Sequence, residues 1–208
     1  GSGADYPVQV TTDPPFSQSS DLPGALFSYS RPRISQIRPT TVPTEGGVEL
    51  TIDGFSFGKA GNSQAILLSY GGSSVTKTGA DITIAQNHRQ LTTAAGPSTA
   101  TTPSFGVQVE VALLLSDITL VQFSPPSVAF VNPALGVTSG FVVDITGSSF
   151  GTSGGTVTVG GKVCAIVSYS HTLVRCSIPE GVGTNVPIVV TAASGKSNTP
   201  SVNAQVSY

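Results

Sequence analysis

Two similar stretches decide the fold of this chain: Gly47-Val-Glu-Leu-Thr-Ile-Asp-Gly-Phe-Ser-Phe-Gly58 and Gly140-Phe-Val-Val-Asp-Ile-Thr-Gly-Ser-Ser-Phe-Gly151. In each stretch apolar residues alternate with other residues before the chain reaches Gly-x-Ser-x-Gly. Alternation with a period of two is typical of a β-strand that buries one face. The two stretches therefore predict two equivalent strands, each followed by a glycine-rich turn.

The similarity extends to both sides of these stretches. Upstream, Ile34–Pro39 (ISQIRP) corresponds to Val128–Pro133 (VAFVNP), and downstream Tyr70-Gly-Gly corresponds to Val159-Gly-Gly. A repeat of this kind indicates two copies of one structural unit. Further alternating runs, separated by Gly and Pro, are typical of a β-sandwich; they include Phe105–Leu115 and Val186–Val190. We expect an all-β chain with two sandwich modules, module one at 30–124 and module two at 125–208.

The first thirty residues resemble the end of a module. Tyr6–Thr11 is similar to Val186–Thr191, and Phe27-Ser-Tyr29 is similar to Val206-Ser-Tyr208. Residues 4–29 are therefore predicted to be the last two strands of a preceding module, after a cloning remnant at 1–3. Two strands alone are marginally stable, and their open edges and apolar face (Tyr6, Val8 and Val10) favour pairing with another polypeptide by strand addition.

Composition argues against two classes of partner. Only 10% of residues are charged, compared with about 25% in an average protein. The net charge is −2, and the one basic cluster (Arg31, Arg33, Arg38) is too small to follow a phosphate backbone, so no nucleic acid is expected. No run of roughly 18 apolar residues occurs, so no membrane contact is expected within this fragment.

The modules show a fixed order of features: a strand, Pro, Gly-Gly, a strand, Gly-x-x-Phe-Gly, Val-Gly-Gly, two cysteines, Pro-x-Gly and a terminal aromatic residue. This order resembles the IPT/TIG domain, an immunoglobulin-like module found in plexins and in some transcription factors. Module one shows part of the pattern and has Thr93 near the position that corresponds to Cys176 of module two. Module two shows nearly all of it: Pro133, Gly140, Gly147, Phe150, Gly151, Val159, Gly160, Gly161, Cys164, Cys176, Pro179, Gly181 and Tyr208. The resemblance implies tandem immunoglobulin-like β-sandwiches and a Cys164–Cys176 disulfide, which would place the protein in an oxidising compartment.

The resemblance also implies a choice of function. Arrays of such modules serve surface proteins as spacers and adhesion units, single ones serve transcription factors as dimerisation units, and others accompany carbohydrate-active enzymes. The repeat and the scarcity of positive charge favour an extracellular, non-catalytic array segment whose partner is a protein or a neighbouring module. The alternative is a carbohydrate-binding accessory module with a glycan partner. Because the linkers Ser30–Arg33 and Ser124–Ser127 contain proline, the array is expected to be semi-rigid.

The Gly-x-Ser-x-Gly motif is the strongest catalytic signal in the sequence. A nucleophile elbow places such a serine between a strand and a helix, with a histidine and an acid elsewhere in the fold. Here another strand is expected next, and the motif recurs at the same place in both modules. We therefore interpret it as a structural turn with no catalytic or cofactor-binding role; its residues are Gly54, Phe57 and Gly58 in module one and Gly147, Phe150 and Gly151 in module two.

The remaining candidate sites are weaker. His88 and His171 begin equivalent strands, and each lacks nearby ligands at metal-binding spacing, so no metal is expected. Without tryptophan, the residues considered for sugar stacking are Tyr70 and Tyr169, which we expect on the sandwich surface. The Ser- and Thr-rich segment Thr92–Ser104 is either a flexible loop or a site of O-linked sugars.

Overall fold

The computed structural model describes residues 5–11, 19–60, 63–98 and 102–208. These residues form β-strands and one short 3-10 helix, Gly79–Asp81. The prediction of an all-β fold is confirmed. No helix in the described part of the chain is long and apolar enough to cross a lipid bilayer.

An N-terminal hairpin precedes the two modules. Strands β1 (Tyr6–Thr11) and β2 (Ser19–Phe27) form a two-stranded antiparallel sheet in which Tyr6 lies opposite Phe27. This is the register in which Val186 lies opposite Val206 in module two. Tyr6 and Phe27 are about half exposed, and both rings pack edge-on against Tyr29. The origin of residues 4–29 in a preceding module, and their pairing with another polypeptide, stay predictions; the side chain of Val10 lies outside those described.

Module one consists of two packed sheets. One has the order β3-β5-β9-β8, and the other has the order β4-β12-β10-β6-β7 with β11 paired to β10. All pairings are antiparallel except β4 with β12, which is parallel. The strands are β3 (Arg33–Arg38), β4 (Thr41–Val42), β5 (Glu49–Phe55), β6 (Gln64–Tyr70), β7 (Ser73–Thr78), β8 (Thr83–Gln86), β9 (Gln90–Ala94), β10 (Ser104–Val111), β11 (Leu114–Leu115) and β12 (Thr119–Phe123).

Module two repeats this arrangement with fewer strands. Its sheets have the orders β13-β14-β18-β17 and β16-β15-β19-β20. The parallel pairing of β4 with β12 has its counterpart in an isolated parallel bridge between Leu135 and Ser207. The strands are β13 (Ser127–Asn132), β14 (Phe141–Ser148), β15 (Thr156–Val159), β16 (Lys162–Val163), β17 (Ala165–Tyr169), β18 (Leu173–Ile178), β19 (Val186–Thr191) and β20 (Gln205–Val206).

Each module has its own core, formed by the alternating apolar residues of the sequence. In β5 the inward residues Leu50 and Ile52 are fully buried, and Val143 and Ile145 of β14 occupy the equivalent places. Burying each such side chain contributes about 1.5–3 kcal/mol relative to exposure. Separate cores mean that each sandwich carries most of its own stability, so the orientation of the two modules depends on what joins them.

Two segments differ from the sequence prediction. The apolar face expected along Phe105–Leu115 ends at Val111, because Ala112 and Leu113 adopt left-handed φ values (49° and 69°) and turn the chain into β11. Leu113 is consequently 88% exposed. Thr92–Ser104 is not a loop throughout, since Thr92 and Thr93 belong to β9 and Thr93 and Ser98 are buried; residues 99–101 lie outside the described residues.

Candidate functional site at the junction of the two modules

The Gly-x-Ser-x-Gly stretch of each module is a turn between two strands. It joins β5 to β6 in module one and β14 to β15 in module two. The central residues Ser56 and Ser149 both have a φ of 60°. In both copies the N–H of the following phenylalanine donates to a histidine carbonyl: Phe57 to His88 at 3.4 Å, and Phe150 to His171 at 3.0 Å. Because the turn leads into a strand, it lacks the strand-to-helix geometry that a nucleophile elbow requires.

The first glycine of each turn lies where no side chain fits. A Cβ atom on Gly54 would lie 2.1 Å from the Arg33 carbonyl oxygen and 2.3 Å from the Phe57 ring. On Gly147 it would lie 2.0 Å from the Ser127 carbonyl oxygen and 2.6 Å from the Phe150 ring. Phe57 and Phe150 are themselves completely buried. The turn is therefore packed tightly between the first strand of the module and an aromatic side chain of the core.

In module two this turn also binds a loop of module one. The Ser149 N–H donates to Glu45 Oε1 at 2.7 Å, and the Gly151 N–H donates to Thr44 Oγ1 at 3.2 Å. The same threonine hydroxyl lies 3.1 Å from His171 Nδ1. Ser149 is 1% exposed and Thr44 is 7% exposed, so these two residues are shielded from solvent, while Glu45, Gly151 and His171 are partly buried. We call Thr44, Glu45, Ser149, Gly151 and His171 the junction cluster.

The chemistry of the junction cluster is that of an anchor. A carboxylate oxygen that accepts from a backbone N–H forms a charge-assisted hydrogen bond, which is stronger than a neutral one. The second carboxylate oxygen, Glu45 Oε2, is buried and has no hydrogen-bond partner among the described residues. Desolvation of this oxygen opposes docking. The net interaction is therefore moderate, as suits two modules that are stable in their own right.

A second set of contacts lies along the linker. The Ser124 N–H donates to the Val42 carbonyl at 2.8 Å, which ties the start of the linker to module one. The Lys196 ammonium of module two donates to the Phe123 carbonyl at the end of β12. The junction is thus held at two places, by the junction cluster and by Lys196, in addition to the covalent linker.

Tyr169 supports the turn from inside module two. Its hydroxyl donates to the Phe150 carbonyl at 2.7 Å. Burial raises the pKa of Tyr169 to about 12, since the phenolate would lose its hydration. The phenol is therefore a neutral donor at physiological pH, and it fixes the carbonyl between Ser149 and Gly151, whose N–H groups face module one.

A disulfide links Cys164 to Cys176, with both residues buried and a Cα–Cα distance of 5.7 Å. In module one Thr93 lies opposite Leu50 in the register in which Cys176 lies opposite Val143. Its hydroxyl donates to the Asp81 carbonyl at 2.8 Å. A hydrogen bond thus takes the place that the disulfide occupies in module two.

The family follows from comparison with known proteins. Residues 32–123 and 126–208 each match the IPT/TIG domain. The chain belongs to the IPT/TIG domain family. The expected tandem of immunoglobulin-like modules is thereby confirmed.

Several solved structures are similar to this IPT/TIG chain. The plexin A4 extracellular region is 20% identical with a TM-score of 0.39, over 94% of this chain and 20% of that one. SGBP-B from a xyloglucan utilization locus of Bacteroides uniformis is 18% identical with a TM-score of 0.34, over 85% and 50%. The Yersinia pseudotuberculosis adhesin InvE is 13% identical with a TM-score of 0.40, over 81% and 57%. The chain spans less than two thirds of each of these proteins.

Among the described residues, the other candidates from the sequence do not come together in one site. Tyr70 was expected on the surface of the sandwich, and this prediction was wrong. The residue is 3% exposed and stacks on Phe105 in the core of module one. Tyr169 is partly buried against the turn. His88 and His171 lie in separate modules, and no group of three or more metal-ligating side chains occurs in the residues described. Of the small basic cluster, Arg31 pairs with Asp117 and Arg38 with Asp53.

Thr44 and Glu45 were missed by sequence reasoning. They lie in the loop between β4 and β5, where strand periodicity carries no information. The comparison of repeats does not reveal them either, because the corresponding loop of module two reads Ala134-Leu-Gly-Val-Thr-Ser139 without an acidic residue. The available signal was indirect: a glycine-rich turn with free N–H groups requires an acceptor if it becomes buried.

Proposed function

We propose that this chain is a non-catalytic segment of an extracellular array, in which IPT/TIG modules are held in a semi-rigid arrangement that presents interaction surfaces at defined positions. The observation that carries the proposal is the junction cluster. A covalent linker alone would leave two sandwiches free to rotate, whereas here the partly buried carboxylate of Glu45 and the buried hydroxyl of Thr44 accept from two backbone N–H groups of module two.

The extracellular location is supported by the Cys164–Cys176 disulfide, because such bonds persist mainly in oxidising compartments. The absence of a catalytic role is supported by the turn geometry, since Ser56 and Ser149 both lie on turns that join two strands, and Ser149 is also enclosed between module one and the core of module two. A turn between two strands lacks the strand-to-helix geometry that exposes a nucleophilic serine, and the buried Ser149 hydroxyl is in addition shielded from any substrate.

Residual dipolar couplings test the semi-rigid arrangement directly. If the modules move as one body, amide couplings from module one and module two in an aligned sample fit one alignment tensor. Glu45→Ala removes the carboxylate and is expected to give two tensors of different magnitude, with both modules still folded. Glu49→Ala is the matched control, since Glu49 is an exposed residue of β5 in the same module. Two unequal tensors for the unmodified chain would refute the proposal.

A further inference from the structure

The turn Gly54–Gly58 of module one has the same backbone conformation as the turn Gly147–Gly151 of module two, which is bound by Thr44 and Glu45. Ser56 and Ser149 share a φ of 60°. The N–H of the first glycine donates to the residue after the histidine in both, Gly54 to the Arg89 carbonyl at 2.8 Å and Gly147 to the Thr172 carbonyl at 2.9 Å. The N–H group of Ser56 therefore has the same orientation within its turn as that of Ser149.

The two turns differ in occupancy. Ser149 is 1% exposed beneath Glu45, whereas Ser56 is partly exposed and its N–H has no hydrogen-bond partner in the described part of the chain. His88 is exposed, while its counterpart His171 is half-buried against Thr44. Module one thus presents an open copy of a site that is filled in module two.

Charge around the open turn favours an acidic occupant. Arg89 follows His88, and its guanidinium lies 4.3 Å from the centre of the Phe55 ring, which directly precedes Ser56. The equivalent position in module two is Thr172, which is uncharged. A guanidinium packed on Phe55 of the turn strengthens binding of a carboxylate there, beyond what the backbone N–H provides.

The linker places a preceding module at the right distance. Tyr29-Ser-Arg-Pro32 aligns without a gap with Phe123-Ser-Pro-Pro126, so the chain enters both modules over the same number of residues. A preceding module joined in this way would bring its loop between the first two long strands to Ser56, as module one brings Thr44 and Glu45 to Ser149.

We infer that the Ser56 turn of module one is a binding site for a glutamate or aspartate side chain from that loop of a preceding module. The inference rests on the proposed function, because it requires that the chain is part of an array. The acidic side chain accepts from the Ser56 N–H and lies beside Arg89, so the junction in front of module one has the chemistry seen between modules one and two.

The test supplies the missing module from the chain itself. A second copy of residues 30–124 is fused to the N-terminus of residues 31–208, so that it replaces residues 1–30. The two parts are joined by protein ligation, and only residues 31–208 carry ¹⁵N. The probe is then Glu45 of the added copy, and the readout is the hydrogen-exchange rate of the Ser56 amide in the labelled part. We expect that rate to fall at least tenfold compared with the chain 1–208. Glu45→Ala in the added copy restores fast exchange, and Glu49→Ala does not.

The Ser149 amide separates failure of this inference from failure of the proposed function. If Ser149 is protected and Ser56 exchanges equally fast in both chains, with dispersed spectra showing that all modules are folded, the Ser56 site is wrong and the array arrangement stands. If Ser149 itself exchanges freely in the chain 1–208, the junction between modules one and two is not formed, and both proposals fail.

Discussion

Removing the disulfide should destabilise module two and leave module one unchanged. The double variant Cys164→Ala/Cys176→Ala deletes the bond without leaving a free thiol. The two cysteines are separated by 12 residues. Closing a loop of about this length lowers the entropy of the unfolded chain enough to contribute about 3 kcal/mol at 25 °C. Module one has Thr93 in place of the second cysteine, so it serves as an internal control in the same molecule.

Urea denaturation followed by resolved amide signals measures both modules in one sample. With a denaturant slope of about 1–2 kcal/mol per molar for a module of this size, a loss of about 3 kcal/mol lowers the midpoint of module two by about 1.5–3 M. The midpoint of module one should remain within error. Equal shifts in both modules would show that they unfold together and would refute the argument from separate cores, while no shift in module two would refute the entropic estimate.

Four further predictions test other parts of the structure. Phe150→Ala removes a completely buried ring and should cost about 3–5 kcal/mol in the stability of module two, whereas Phe130→Ala, at a site 54% exposed, should cost far less in the same denaturation experiment. Tyr169 has a folded-state pKa of about 12, raised above its unfolded value near 10, so the folded state holds the phenol proton more tightly. The contribution of this proton to stability is complete below pH 10 and is lost as the pH rises from 10 to 12. Tyr169→Phe should abolish this loss of stability in alkaline denaturation. Ser56→Ala and Ser149→Ala should leave every binding activity of the folded protein intact, because the N–H groups of the turn are retained; loss of binding without loss of folding would contradict this. Deleting residues 1–30 should convert an associated species to monomer in light scattering if these strands pair with another polypeptide, and a monomeric intact chain with a protease-resistant hairpin would exclude that pairing.

Much of the fold could be predicted from the sequence because burial leaves a periodic pattern. Leu50 and Ile52, like Val143 and Ile145, alternate along strands whose other face is outside the core, and the structure buries them as expected. The prediction was wrong where two residues changed the backbone direction. Ala112 and Leu113 continue the apolar alternation, yet their left-handed φ values begin a hairpin, and no glycine or asparagine marks that turn.

Burial was also misjudged for Tyr70, which was expected on the sandwich surface and is 3% exposed. Tyr70 could not be assigned from its neighbours, because a tyrosine is buried when its hydroxyl finds a partner and exposed when it does not. Here the Gly96 N–H donates to the Tyr70 hydroxyl at 2.9 Å, and the ring stacks on Phe105. That partner lies 26 residues away in the sequence. Local pattern cannot reveal such a contact, and Tyr70, which was expected on the sandwich surface, is part of the core.

The candidate site likewise depends on a contact between distant residues, which local sequence pattern cannot reveal. Both turns were found from sequence, since glycine and phenylalanine at fixed positions are required by the steric limits around Gly54 and Gly147. What distinguishes the turns is their occupant, and Glu45 reaches Ser149 across 104 residues of chain. A loop residue under no packing constraint within its own module leaves no trace in hydrophobic periodicity. The function of such a turn is therefore decided between modules: the same backbone geometry is a buried anchor where a carboxylate is supplied, and an open binding site where it is not.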